Sequence, residues 1–520
     1  MEEKQIKKIN NYKINRIKAK AERNGLGLLK TLSIIVLVAF QLSLFIVSYL
    51  YIATYVEYYL LFSLVATFAA CLHVICSKRN SLSKPVWILF LLITFAFGYI
   101  FYFLSDERIF WHKSKKRYDK ILAKVKNYKT NTTDNIILEN LEETASYLKK
   151  SGFPAYSSTE STYFSDGAPF MNALTEKLKS AKKFIFIEFF IISDGKVFSR
   201  IFDILKEKVK SGVEVRIIYD DLGSHRTLPR KTKKKIKKAG IKLSAFNKLL
   251  PYFSIFINYR DHRKIVVIDG KFAFTGGINL ADEYTNEKQV HGIWKDSGLM
   301  LSGPAVDELT LAFLSAWEFL NKSDEDFGKF LSHAEKTENT SIVIPYLDGL
   351  EFERNIGKDV YTSLISSAKE KIYIMSPYLV LDDTIKNLLI LKAESGVDVR
   401  IIIPEIADKK LVYIQTRNIA EKLMLNGVKL YTLKNSFVHS KILLTESSAV
   451  VGSINFDLRS FYQQFENAVL INDTETLNDI NFDFLSSFSS STEITQMNMN
   501  RRYLTFRMLA GLTSIISPFM

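Results

Sequence analysis

The chain has 520 residues, a formal net charge of +15, a pI of about 9.3 and 47% hydrophobic residues. That length supports two or three domains with real cores. The basic balance suits an anionic partner: phospholipid headgroups, nucleic acid or another phosphate-bearing substrate. The two cysteines, Cys71 and Cys76, both sit in an apolar segment, which excludes a disulfide framework or a cysteine-based metal site.

In chain order, residues 1–27 form a densely basic arm, and residues 28–105 hold three uncharged runs at about 31–56, 58–77 and 85–104. Each approaches or exceeds the ~20 residues a helix needs to cross a bilayer. These runs predict transmembrane helices, the first two forming a hairpin around Glu57, and hence a multi-pass integral protein of the bacterial cytoplasmic (cell) membrane. Basic residues from Lys4 to Lys30, and again Lys78, Arg79 and Lys84, hold the hairpin ends in the cytoplasm. The equally basic flank Arg108–Lys126 opposes export after the third run, so the side that bears the rest of the chain stays open.

Residues 106–160 read as a basic linker with some helical pattern. Then the sequence repeats itself. AKKFIFI at 181–187 answers AKEKIYI at 368–374, and SGVEVRII at 211–218 answers SGVDVRII at 395–402. Each pair reads as a buried strand, a helix and a second buried strand, the alternation of an α/β domain. The expected fold is therefore α/β: two tandem duplicated units, 161–335 and 336–495, forming a bilobed, pseudo-two-fold body with its site at the seam. A hydrophobic tail, 496–520, follows.

Each repeat closes on the same constellation. The first is DHRKIVVIDGKFAFTGGINLADEY, with His262, Lys264, Asp269 and Asn279; the second is VHSKILLTESSAVVGSINFDLRSF, with His439, Lys441, Glu446 and Asn455. Residues i and i+2 of a strand share a face, so imidazole and ammonium emerge side by side. A hairpin of this length returns the Asn beside them, and its glycines permit close backbone approach. Lysine and asparagine can hold the non-bridging oxygens of a phosphodiester. One neutral histidine can attack phosphorus while a protonated one donates to the leaving oxygen. No metal or cofactor is required, because the lysines neutralise the charge. A lone strand histidine is usually structural; two matched blocks in a duplicated frame are a specific signal.

These residues resemble the paired HxKxxxxD motif of the phospholipase D superfamily, with Glu446 standing where the family has Asp. Within it, the bacterial cardiolipin synthases are similar over nearly the whole chain. The similarity rests on N-terminal spans ending in KPVWILFLLITFAFGYIFYFL at 84–104, GGINLADEY followed by WKD at 294–296, GSINFDLRSF followed by FEN at 465–467, and a tail containing SPFM. The resemblance implies tandem phospholipase D-like domains and a catalytic set of His262, Lys264, Asp269, His439, Lys441 and Glu446, with Asn279 and Asn455 binding substrate. It implies His262 as nucleophile and His439 as general acid, an order the near-symmetry leaves reversible. It further implies acids that orient the imidazoles, Glu466 for His439 and Asp296 for His262. The implied reaction joins two phosphatidylglycerol molecules into cardiolipin and glycerol through a phosphohistidine. Phosphatidylglycerol and anionic membrane lipids are then the partners, and nucleic acid is not. A membrane phospholipase D, another phosphatidyltransferase and a catalytically silent lipid-binding scaffold are the alternatives, the last favoured only by Glu446.

Three further features carry balanced readings. RKTKKKIKK at 230–238 suits anionic lipid or a solvated helix face, and LLPYFSIFINY at 249–259 suits the membrane interface or a core strand. His73, His112, His225, His291 and His333 have no repeat partner and read as structural or solvent-facing.

Overall fold

The computed structural model describes Val36 and residues 39–49, 56–77, 83–105, 107–129, 141–248, 259–332 and 341–495, with 508–511, 513, 514 and 517 near the C-terminus. The basic arm, most of the first apolar run, nearly all of LLPYFSIFINY and His333 lie outside these residues. The chain divides into two units, one of residues 1–107 with 249–256, the other of 108–248 with 257–520.

In the first unit, two helices run Val56–Cys76 and Ser83–Ser105 and pack on each other. Among the described residues one stretch, Glu57–Cys76, is long and apolar enough to cross a membrane; Ala39–Tyr49 and Ser83–Thr94 are shorter apolar helices. The outward faces carry Leu61, Phe62, Leu64, Val65 and Phe68, all exposed, whereas Ser63, Thr67, Ala70 and Val74 are buried. Small side chains at this helical spacing let the neighbouring helix approach closely.

The second unit holds the duplication. Its first repeat has eight strands: β1 Glu160–Phe164, β2 Phe184–Phe189, β3 Glu214–Asp220, β4 Lys242–Phe246, β5 Lys264–Ile268, β6 Phe272–Gly276, β7 Ile293–Lys295 and β8 Gly298–Ser302. The second has β9 Val343–Asp348, β10 Lys371–Met375, β11 Leu379–Val380, β12 Asp398–Pro404, β13 Lys429–Leu433, β14 Ser436–Val438, β15 Ile442–Thr445, β16 Ala449–Gly452, β17 Phe456–Asp457, β18 Glu466–Ile471 and β19 Ser491–Glu493. The first sheet runs β1-β8-β6-β5-β2-β3-β4 and the second β9-β18-β16-β15-β10-β12-β13-β19. Apart from the added β19, the two orders match strand for strand. In each, a parallel half built on the strand that follows the AK pair, β2 or β10, abuts an antiparallel half built on the HxK hairpin. The central strands β2 and β3 are buried along almost their whole length, as strands covered on both faces are.

Helix Val306–Asn321 is buried almost all round and lies between the two sheets. Its Phe313 ring stacks on Phe186 at 4.6 Å. One apolar core runs through both repeats, taking in Phe186, Ile265 and Val267 of the first and Ile344, Ile372 and Val450 of the second. The seam is thus a packed interior. The segment expected to be a linker contributes to it: helix Glu107–Lys126 places Tyr118, Ile121 and Val125 in that core and turns Lys116, Lys120 and Lys126 outward. Its basic composition hid an apolar stripe at helical spacing. RKTKKKIKK forms helix Arg230–Lys238, in which Ile236 and Thr232 are buried and most lysines face out.

Asp269 and Glu446, expected in the catalytic set, belong instead to the far ends of their hairpins. Asp269 accepts from the backbone N–H groups of Lys182, Lys183 and Phe184 at 2.7, 2.7 and 2.8 Å, fixing the start of β2. Glu446 takes the same place in the second repeat, accepting from Lys369 at 2.8 Å and from Glu370 and Lys371 at 3.4 Å. The longer side chain reaches the same backbone with looser bonds. Replacing Asp269 with alanine leaves three N–H groups without their acceptor. It is expected to destabilise the protein by about 1–3 kcal/mol, and more than Glu446→Ala does, while turnover per folded molecule is retained. Denaturant unfolding alongside an activity assay checks both parts.

Candidate active site

From Asp261 to Arg263 and on into β5, side chains alternate. Asp261 and Arg263 face one way: Arg263 Nε donates to Asp261 at 2.9 Å, and its guanidinium lies 3.1 Å from Glu188, all fully buried. His262 and Lys264 face the other way. Lys264 Nζ donates to the His262 carbonyl at 2.5 Å, and Lys441 Nζ donates to the His439 carbonyl in the matching position. His262 is 6% exposed and His439 7%, so each imidazole shows only an edge.

The backbone before each HxK strand runs parallel to the segment that follows the other repeat's glycine–asparagine turn. Phe437 pairs with Trp294 between β14 and β7, and Asp261 pairs with Phe465. His262 N donates to Phe465 O at 2.8 Å, and His439 N donates to Lys295 O at 2.7 Å. Each acid is the next residue along, so the orienting pairs are crossed. His262 Nδ1 lies 2.9 and 3.1 Å from the Glu466 oxygens, and His439 Nδ1 lies 2.6 Å from Asp296. This corrects the expected assignment: both acids orient imidazoles, but each serves the histidine of the opposite repeat. With Nδ1–H donated to a carboxylate, Nε2 is the nitrogen left with a lone pair.

Local geometry explains the glycines. A Cβ at Gly277 would lie 2.2 Å from Asp296 Oδ1. The second repeat has Ser453 there, whose hydroxyl donates to Glu466, so the longer acid comes with a hydroxyl that holds it. Gly452 is needed because a Cβ there would lie 2.5 Å from Ala468 Cα.

Asn279 and Asn455 are buried beside these turns. Asn279 accepts from Ile191 N at 3.0 Å and donates to Tyr284 Oη at 2.6 Å, while Asn455 donates to Ser460 Oγ at 3.2 Å. One amide hydrogen of each is thus committed internally. Asn467, which the motif reading passed over, accepts from Lys264 N at 3.1 Å and donates to Thr275 Oγ1 at 2.6 Å, stitching the repeats together behind the site. Aromatic rings wall the imidazoles: Phe190 stands 5.0 Å from His262, and Tyr284 and Trp294 each 5.4 Å from His439. Among the described residues no group of three or more His, Cys, Asp or Glu side chains is placed to hold a metal ion.

Burial dominates the electrostatics. It depresses His262 well below the usual imidazole range, helped by the ammonium groups of Lys264 and Lys441. Burial and Lys441 bring His439 down to about 3, against the pull of Asp296. Burial also lowers Lys264 to about 7 and Lys441 to about 8, and raises Glu466 to about 7. Each lysine's charge acts on the other repeat's histidine, so the four side chains share one site. Such a site holds neutral imidazoles and readily lost lysine protons.

The family described as "Cardiolipin synthase, PLD-like domain" matches residues 174–317 and 361–487, one stretch in each repeat. An uncharacterized protein of Streptococcus mutans is 37% identical, over 86% of this chain and 99% of its own. Cardiolipin synthase 2 of Bacillus anthracis is 34% identical, over 70% of this chain and 71% of its own. Cardiolipin synthase of Alkalihalophilus pseudofirmus is 30% identical, over 85% and 90%. In fold, the chain is similar to the phosphatidylserine synthase of Haemophilus influenzae Rd KW20, with a TM-score of 0.56 at 15% identity over 74% of this chain and all of that one. With both repeats matched and the HxK pairs brought together at their seam, the chain belongs to the cardiolipin synthase family of phospholipase D-like phosphatidyltransferases.

Proposed function

We propose that the chain joins two phosphatidylglycerol molecules into cardiolipin and glycerol at a membrane surface, by way of a phosphatidyl-histidine. The observation that carries this is the crossed pairing, which leaves two imidazoles with Nε2 as the reactive nitrogen in a buried site that two lysines share. The lysines, with the second amide hydrogens of Asn279 and Asn455, hold the non-bridging oxygens of the first lipid's phosphodiester. An anion here raises the proton affinity of every neighbouring base, so substrate binding takes up the proton that His439 needs as an acid.

His262 Nε2 then attacks phosphorus. An N–P bond forms, the P–O bond to glycerol breaks, and the leaving oxygen takes the proton from His439. In the second half, the terminal hydroxyl of another phosphatidylglycerol attacks. Its proton passes to His439, a P–O bond forms and the N–P bond breaks. Glu466 and Asp296 steady the imidazolium character that develops on each ring. We take His262 as the nucleophile from the family resemblance; the two rings differ in support, Glu466 being held by Ser453 and Asp296 by its own backbone turn. Glu446, the one feature favouring a silent scaffold, takes the backbone-holding place of Asp269 instead. The relatives named cardiolipin synthase and the helix Glu57–Cys76 support a membrane setting, and we place the chain in the cell membrane as a multi-pass protein.

Glu466→Gln and Asp296→Asn keep the shape of each pair but remove its charge. Each is expected to lower kcat by about 10²-fold or more, with the protein still folded by circular dichroism. In the free enzyme the lysines carry charge below their pKa values and lose it above them. With Lys264 at about 7 and Lys441 at about 8, kcat/KM is expected to fall as pH rises through this window. A pH profile measured in mixed micelles checks the direction. With phosphatidylglycerol labelled in its terminal glycerol, cardiolipin should appear one-for-one with free glycerol. Phosphatidic acid with glycerol and no cardiolipin would replace transfer by hydrolysis.

A further inference from the structure

The two repeats are not electrostatically equal around this site. Four positions beyond Asn279 stands Glu283; four beyond Asn455 stands Arg459. Arg459 lies in the first turn of the short helix Leu458–Tyr462, directly after β17, which pairs with β11. Its Nε is buried and has no hydrogen-bond partner among the described residues. Lys409 stands just before helix Lys410–Met424, and its ammonium sits 4.8 Å from the centre of the Tyr378 ring. It lines a shallow recess with Tyr378, Tyr413 and Phe437, and the Phe437 ring is 5.8 Å from that of His439.

The acids near these cations are committed elsewhere. Asp408 accepts from Tyr378 Oη at 2.6 Å, and Asp457 caps the helix by accepting from Ser460 N at 2.7 Å. Each cation adjoins a residue that touches the site: Ser460, next to Arg459, accepts from Asn455 at 3.2 Å, and Lys409 shares its recess with Phe437, the neighbour of His439. On the first repeat's side the corresponding turn is acidic: Asp282 ties down the N–H groups of Lys196 and Val197, and Glu287 pairs with Arg200. Asp408 and Asp457 stand near enough to act on these cations, but among the described residues neither Lys409 nor Arg459 has a carboxylate in ion-pair contact, so each can take an anion from outside.

We propose that Lys409 and Arg459 form a second phosphate subsite, which takes the phosphodiester of the lipid alcohol that accepts the phosphatidyl group. This rests on the transfer reading above and names its acceptor determinant. A phosphatidylglycerol acceptor carries its own anionic phosphodiester next to the attacking hydroxyl; water and free glycerol do not. A guanidinium and an ammonium on one side of the seam anchor that phosphate and bring the hydroxyl to phosphorus, so an anionic lipid alcohol outcompetes neutral ones.

The test uses the full-length protein in mixed micelles of phosphatidylglycerol with labelled free glycerol. Two products are followed: cardiolipin, which needs the lipid acceptor, and labelled phosphatidylglycerol, which reports donor cleavage with a neutral acceptor. Lys409→Gln and Arg459→Gln are each expected to lower cardiolipin formation by about tenfold or more while glycerol exchange stays near the parent rate. Arg459→Lys should recover part of the loss. Because Lys409 is exposed, its variant reports even where Arg459→Gln is poorly folded. Equal loss of both products in Lys409→Gln would assign the cation to the donor phosphate and overturn the proposal, as would unchanged cardiolipin formation in both glutamine variants. Parent protein that exchanges glycerol but forms no cardiolipin would sink the transfer reading itself, a distinct result.

Discussion

Each imidazole of the site is held by a carboxylate that belongs to the other repeat, and the rest of the architecture serves that exchange. A hydrogen bond of 2.6–2.9 Å tolerates little sliding, so the two repeats cannot be loosely docked. They are fixed by backbone pairing on both sides of the pseudo-two-fold, by Asn467 reaching from β18 to Thr275 at 2.6 Å, and by an apolar core that passes through helix Val306–Asn321. Neither repeat contains a complete histidine–acid pair. The duplicated fold is therefore a single catalytic body, in which stability of the seam and geometry of the site are the same property.

Burial gives the site its chemical character. Taken out of water, the lysines hold their protons weakly and the histidines are neutral. The two halves achieve equivalent geometry by different residues. A bare Gly277 makes room for the short Asp296, while Ser453 grips the longer Glu466. Tyr284 and Ser460 likewise support Asn279 and Asn455 with different side chains. Such substitutions keep the frame while letting the two faces of the site diverge in charge.

Much of this was legible in the residues alone. Alternation along a strand is enough to place His262 with Lys264 and His439 with Lys441, and the paired AK and SGV runs announce a duplication. What was not legible depends on direction and topology. A motif lists Asp269 after His262 and Lys264 without saying that β5 carries it to the opposite end of the hairpin, where it holds backbone. Proximity in sequence pointed Glu466 to His439 and Asp296 to His262; only the parallel pairing of Asp261 with Phe465 and of Phe437 with Trp294 reverses that order. The basic composition of residues 107–126 masked the apolar stripe of Tyr118, Ile121 and Val125, because the stripe is narrow and lysines surround it.

The crossed pairing can be read directly from histidine resonances. The chain has seven histidines, few enough for selectively ¹⁵N-labelled imidazoles to be assigned one by one in detergent. Glu466→Gln should shift the ring nitrogens of His262 and leave those of His439 in place, and Asp296→Asn should do the reverse. If Glu466→Gln instead moves His439 while His262 stays unchanged, the two repeats each keep their own acid and the account of a shared site is wrong.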